Sequence, residues 1–182
     1  MMTAEGFETT LAAARAGAEW AFAALYRAHQ PRLLRYLGAH HPTDAEDIAS
    51  EAWLDAARSI GAFAGSEDAF RGWLFTIARR RLIDHRRHHA RRPAVPSGDD
   101  AVLTTEAESA EADAFAGALG DDAARQIVSA LHPDQAEIVL LRVVAGLTVE
   151  QVAEVTGRRA GTVRVIQHRA LDRLAKSFSA EM

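Results

Sequence analysis

The sequence predicts an all-α protein: two small helical domains joined by an acidic linker. Three observations carry this expectation. Extended-strand signals are nearly absent, while Ala- and Leu-rich stretches repeat their apolar residues with helical period. Helix starts are marked by Ser/Thr-x-x-Glu/Gln spacing at Thr43/Glu46 and Thr148/Gln151. Between the helical stretches lies PAVPSGDDAVLTTEAESAEADAFAGALG, residues 93–120, opened by Pro93, Pro96, Ser97 and Gly98 and filled with acids and small residues. The expected division is an N-terminal tail over 1–18, a helical domain over 19–92, a flexible acidic linker over 93–120 and a second helical domain over 121–182. A chain of 182 residues with 48% hydrophobic residues can fill two such cores.

The elements follow in order. The first helix is expected from about Ala18 to Leu37, with Trp20, Ala24, Leu25, Ala28, Leu33 and Tyr36 as apolar candidates. Pro42 then precedes the Thr43/Glu46 capping box, and a helix from about Asp44 to Ser59 carries Asp47, Glu51 and Asp55 at four-residue spacing, hence on one face. A glycine-bearing loop, GAFAGSEDAF, leads to WLFTIARRRLIDHRR. There Phe70, Trp73, Leu74, Ile77, Ala78 and Leu82 share one side, Arg79, Arg80, Arg86 and Arg87 project from the other, and Arg81 falls near the apolar side. Trp73 reads as core. Beyond the linker, helices are expected over Asp122–Leu131, over Asp134–Val144 after Pro133, and over TVEQVAEVTG. The turn GRRAG then leads into TVRVIQHRALDRLAKSF.

Charge is strongly segregated along the chain. The formal net charge is −4, yet residues 71–92 carry eight Arg against the single acid Asp84, and residues 93–125 carry eight acids against Arg125. Zero cysteines exclude disulfides, thiol catalysis and thiolate metal sites. No apolar run approaches the ~18 residues that span a membrane. The acidic N-terminus lacks a signal-peptide layout, so a cytoplasmic location is expected.

The last two helices carry the first chemical signal. A short helix, a Gly-containing turn and a longer basic helix have the layout of a helix-turn-helix, which sets the start of its second helix in the major groove. The side chains available there are Arg158, Arg159, Thr162, Arg164, Gln167, His168 and Arg169. Arg can bond guanine and Gln can bond adenine in bidentate fashion, and the remaining cations suit phosphates. Val163, Ile166 and Leu171 are expected to pack inward. An amphipathic helical hairpin with a solvated basic face would read the same from layout alone.

The segment LHPDQAEIVLLRVVAGLTVEQVAEVTGRRAGTVRVIQHRALDRL resembles region 4 of bacterial sigma factors, through Gly161-Thr162-Val163 and Arg169-Ala170. DAEDIASEAWLDA and FRGWLFTIARRRLIDHRR are similar to regions 2.2 and 2.3–2.4. The ordered set covers residues 20–92 and 121–176. With only two domains it resembles the small extracytoplasmic-function group of the sigma-70 family. That resemblance implies a factor that brings core RNA polymerase to promoters, the second domain meeting the −35 element and the β flap, the first meeting the −10 element and the β′ clamp helices. By motif position the clamp-docking candidates are Asp47, Ser50, Glu51, Trp53 and Leu54; an acidic stripe beside apolar groups suits a basic partner helix. The resemblance places a pocket for an extruded −10 base at Phe63, Ala64, Gly65 and Ser66, with Arg79, Arg80, Arg86 and Arg87 along the strand's phosphates. Ser50 stands where the family often has Gln, and Arg80 where it often has Asn, so base preference does not carry over. The linker either threads toward the RNA path, as the resemblance implies, or is simply solvated. Such factors are commonly sequestered by an anti-sigma factor.

Two other classes compete with this one. His85, His88 and His89 have metal-ligand spacing, but they lack a third strong ligand and sit among arginines, so neither a metal nor a cofactor is expected. No nucleophile–base pair, phosphate loop or HExxH run appears, so catalysis by the chain is not expected. A regulator that binds DNA but never polymerase would share the helix-turn-helix. It would need neither the acidic helix over 43–58 nor the basic helix over 71–92.

Overall fold

A computed structural model describes residues 3–90 and 121–180. The linker expected over 93–120, with Arg91 and Arg92, lies outside the described residues. Among the described residues there is no strand. The elements are α1 (Ala4–Arg15), α2 (Glu19–His40), α3 (Ala45–Ser59), a 3-10 turn (Ile60–Ala62), α4 (Glu67–Ala90), α5 (Asp121–Ala130), α6 (Pro133–Val143), α7 (Val149–Thr156) and α8 (Ala160–Ala180).

The first half is a bundle of α1 to α4. Its largest fully buried side chains include Phe7 from α1, Leu25, Leu33, Tyr36 and Leu37 from α2, and Phe70, Leu74, Phe75 and Leu82 from α4, while α3 adds the smaller buried seam of Ile48, Ala49, Ala52 and Ala56 with Trp53. The segment expected as a tail is instead the first of these helices. Thr3 caps α1 by accepting a hydrogen bond from the Gly6 amide, and Phe7, Leu11 and Ala14 face inward at helical spacing. Phe7 reaches the Phe70 ring at 5.9 Å, which ties α1 to α4. The helix survives because its apolar face is buried; a segment this short would be marginal alone.

The second expected helix start also differs. Thr43 makes no capping box: Asp44 is the N-cap of α3, and no side chain caps the helix there. The Asp44 carboxylate turns instead to His85 on α4, whose Nε2 lies 3.1 Å away. That hydrogen bond, aided by Thr43 and opposed by desolvation, holds the Asp44 carboxyl below its usual value. At the other predicted start, the Thr148/Gln151 capping box is fully formed.

Helices α5 to α8 form the second half around Ile138, Leu140, Leu141, Val152, Val163 and Ala170. The two halves pack against each other, α5 along α2 and α7 along α4, and their buried apolar residues form one connected core. Polar contacts cross the same boundary. Arg79 on α4 makes a bidentate pair with Glu137 on α6, and Gln151 Nε2 donates to the Asp68 carbonyl at 2.8 Å.

Candidate nucleic-acid interface

Helix α3 turns a seam of Ala45, Ile48, Ala49, Ala52, Trp53 and Ala56 into the bundle. This leaves Asp47, Ser50, Glu51 and Leu54 of the expected docking set exposed. Trp53 is the correction. It is 4% exposed, its Nε1 donates to Gln30 Oε1 at 2.6 Å, and its ring sits against Phe22 and Tyr26 of α2 at 5.6 and 5.1 Å. Position 53 follows Ala49 by four residues, so it belongs to the buried seam rather than the open face. Leu54, 56% exposed, is the apolar group this face offers, and Tyr26, 40% exposed, joins it from α2. In the sequence, the only mark of Tyr26 is that it follows Phe22 by four residues on α2, one helical turn along the same side.

The acidic stripe is partly neutralised from within. Arg81 pairs with Asp55 through two nitrogens, one of them Nε at 2.7 Å from Oδ2, and approaches Glu51 at 3.6 Å. The Asp55 hydrogen bond raises the Arg81 pKa above its ordinary value. The head of Arg81 is therefore held by α3 carboxylates. It ties α4 to α3 and leaves Asp47 as the more open carboxylate.

Between the 3-10 turn and α4 the chain makes a small aromatic-walled loop. Phe63 packs edge-on against Phe70 at 5.5 Å and beside Trp73 at 5.0 Å, while Ala64, Gly65 and Ser66 are exposed. Trp73 is half-buried against the core, as expected. Ser66 holds the start of α4, its Oγ accepting from the Ala69 amide at 3.3 Å. Gly65 has φ +154°, and a Cβ there would come within 2.9 Å of Ala69 Cβ and 3.3 Å of the Phe63 ring. Gly65→Ala is therefore expected to displace the loop and shift Phe63. Tryptophan fluorescence from neighbouring Trp73 should report the change, with the overall helix content kept.

Along α4, Arg80 and Arg87 are exposed, Arg87 3.9 Å from Asp84. Arg86 is half-buried, and its Nε donates to His41 Nε2 at 3.4 Å. Arg79 is a second correction. Its Nε and Nη2 sit 2.9 and 3.1 Å from the two Glu137 oxygens, because α6 of the second half packs where that part of the basic face would be open. Burial works against its charge, yet the Glu137 hydrogen bonds outweigh this and raise the guanidinium pKa. In this arrangement Arg79 is a latch between halves rather than an open cation.

In the second half α7 ends at Gly157, whose φ of +70° makes the left-handed cap that turns the chain sharply into α8. Gly157→Val would strain that turn. Around it Arg159 and Thr162 are exposed at the start of α8, Arg158 pairs with Asp134 of α6 at 2.8 Å, and Arg164 pairs with Glu150 of α7 at 3.0 Å. His168 lies 3.7 Å from Asp172, and Arg169 is half-buried. Gln167 is the third correction. It is 8% exposed and its Oε1 accepts from Arg142 Nε at 3.3 Å, so it faces α6 and away from any groove. Val163, Gln167 and Ala170 fall on one helical stripe, which the buried Val163 already marks as inward. The outward side chains at the start of α8 are thus Arg159, Thr162 and Arg164, flanked by Arg158 and His168.

Comparison with known proteins matches each half of the chain to a known family. Residues 25–92 match the family profile of sigma-70 region 2, and residues 121–174 match that of sigma-70 region 4. The ECF RNA polymerase sigma factor BldN of Streptomyces coelicolor is 34% identical over 165 residues, covering 90% of this chain. The chain spans 62% of BldN's length. The ECF RNA polymerase sigma factor SigD of Mycobacterium tuberculosis is 31% identical over 188 residues, covering 98% of this chain and 87% of SigD. Among solved structures, CnrH in complex with the cytosolic domain of CnrY aligns with TM-score 0.64 over 96% of this chain and 97% of CnrH. At 19% identity that is a likeness of fold.

Proposed function

The chain belongs to the extracytoplasmic-function group of the sigma-70 family, non-enzymatic factors that direct promoter-specific transcription by RNA polymerase, and we propose how its surfaces divide that work. The observation that carries the division is the opposite sign of two neighbouring faces of the first half. On α3, Asp47 and Glu51 flank the exposed Leu54; on α4, the helix that the loop 63–66 leads into, Arg80 and Arg87 are exposed farther along. An acidic face with an apolar anchor fits a basic helical partner, here the β′ clamp helices of core polymerase. The basic face and aromatic-walled loop fit the −10 strand, whose phosphates need cations and whose extruded base needs a pocket. The start of α8 fits the −35 duplex, with the second half also meeting the β flap.

The division into a domain over 19–92 and one over 121–182 belongs to this reading, with α1 added to the first. Acting on polymerase and promoter DNA places the protein in the cytoplasm, and no helix among the described residues is long and apolar enough to cross a membrane. An anti-sigma factor is the further partner this reading includes. CnrH, which shares the fold, was solved with the cytosolic domain of CnrY bound.

Runoff transcription by purified core enzyme on a promoter library tests the whole reading, and promoter-dependent transcripts should appear only with this protein present. Duplex binding without any such transcript would make it a regulator independent of polymerase. Leu54→Asp probes the docking face and leaves the Arg81 pairs in place. Core-enzyme affinity should fall by roughly tenfold or more while binding of the full chain to duplex DNA is unchanged. Unchanged core affinity would remove α3 from the docking surface.

A further inference from the structure

The sequence offers histidines without a third strong ligand, and the fold supplies one from elsewhere. His41 at the end of α2, Asp44 at the start of α3 and His85 on α4 each bring one donor atom to a cluster whose atoms lie within 4.8 Å of one another. Their side chains are 27%, 31% and 22% exposed, so the cluster is anchored in the fold yet reachable from solvent. His85 Nε2 sits 3.1 Å from Asp44 Oδ2, and His41 Nδ1 sits 4.0 Å from the same oxygen. Tetrahedral donors on one zinc ion stand about 3.4 Å apart, so small side-chain rotations close the set. His89 follows His85 by four residues, on the same side of α4, and their rings are 4.3 Å apart.

We propose that His41, Asp44 and His85 form a site for a borderline divalent transition-metal ion, with zinc the best fit, and that His89 completes it. Two or three imidazoles with one carboxylate suit zinc-like ions and not the hard, all-oxygen preferences of calcium or magnesium. His41 turns Nδ1 toward Asp44 while its Nε2 faces Arg86. Arg86 is also the opposing element. Its Nε donates to His41 Nε2 at 3.4 Å, so coordination through Nδ1 moves the ring proton to Nε2 and ends that long hydrogen bond. The neighbouring guanidinium charge weakens the site, and Asp44 offsets it. The bound ion would pin the corner between α2 and α3 to α4 and fix the turn of helix that carries Arg86 and Arg87.

Zinc chloride titrated into the tag-free full-length chain at near-neutral pH, followed by calorimetry, tests this. A single stoichiometric site is expected, with a raised unfolding temperature, and cobalt(II) at the same site should show the visible bands of low-coordinate N/O ligation. Asp44→Asn and His85→Gln should each weaken zinc binding by at least about tenfold, whereas His88→Ala, an exposed neighbour, should leave it unchanged. Metal-free unfolding of both variants, cooperative and near the parent's, shows that they still fold. No saturable binding, or binding that survives both substitutions, overturns the proposal, as does loss of binding in His88→Ala alone.

Discussion

Replacing Glu137 with alanine is expected to open the contact between the two halves and to raise promoter-complex formation, while replacing its partner Arg79 lowers it. The two residues form one bidentate pair, with side chains 11% and 23% exposed. Removing one member of a pair this desolvated costs about 2–4 kcal/mol of the closed arrangement, because the other charge is left without its partner. Glu137→Ala leaves a free guanidinium on the basic face of α4, where phosphates would meet it. Arg79→Ala removes that cation while opening the same contact. A purely structural role would make both substitutions act alike. Solution scattering should show a larger radius for both variants, and open-complex formation with core polymerase should separate them. Equal effects in the two transcription assays would confine Arg79 to holding the halves together.

Stability should fall as pH drops below about 6.5, a loss that begins before the carboxylates titrate. His29, 1% exposed, lies against Phe70 with both ring nitrogens unpartnered, and His40 has its Nε2 buried without a partner. Burial first, then Arg71 and Arg32, lower the His29 pKa to about 4; burial, then Arg86 and His41, lower that of His40 to about 3. The unfolded chain, with imidazole pKa near 6.5, therefore takes up protons that the folded chain refuses. This contribution is fully present above pH 6.5 and is lost as pH falls from about 6.5 through about 4 and on toward about 3. The full loss is roughly 3 kcal/mol from His29 and roughly 5 kcal/mol from His40. Urea unfolding at about pH 7.5 and about pH 5 measures it, and His29→Leu should flatten the difference. A pH dependence as steep in His29→Leu as in the parent would clear His29 of the role.

The helical period alone was enough for much of the fold. The Thr148/Gln151 capping box and the left-handed glycine after α7 are local signals, and local geometry obeys them. The same period, applied strictly, would have turned Trp53 and Gln167 inward, since each falls on a stripe marked by small or branched apolar neighbours. Trp and Gln were read by what their chemistry can do instead of where their position points. The remaining differences come from contacts far apart in sequence. Asp44 is drawn from capping its helix by His85, 41 residues on, and Arg79 is drawn from the open face by Glu137, 58 residues on. No window along the chain contains both members of either pair. The helix α1 was missed because its apolar residues are few and gain their weight only when Phe70 is there to meet Phe7.

The Arg81 bridge has a thermodynamic corollary. Arg81 belongs to α4, proposed above to face DNA, and its carboxylate partners Asp55 and Glu51 belong to α3, proposed to face polymerase. A basic partner that takes up Glu51 competes with Arg81 for it and so changes the charge left on α4. Free energy is a state function, so any shift that polymerase docking makes in DNA affinity must equal the shift DNA makes in polymerase affinity. A charge swap at position 51 should alter both affinities in the presence of the other ligand. On that proposal the two binding events become, through one guanidinium, a single coupled equilibrium.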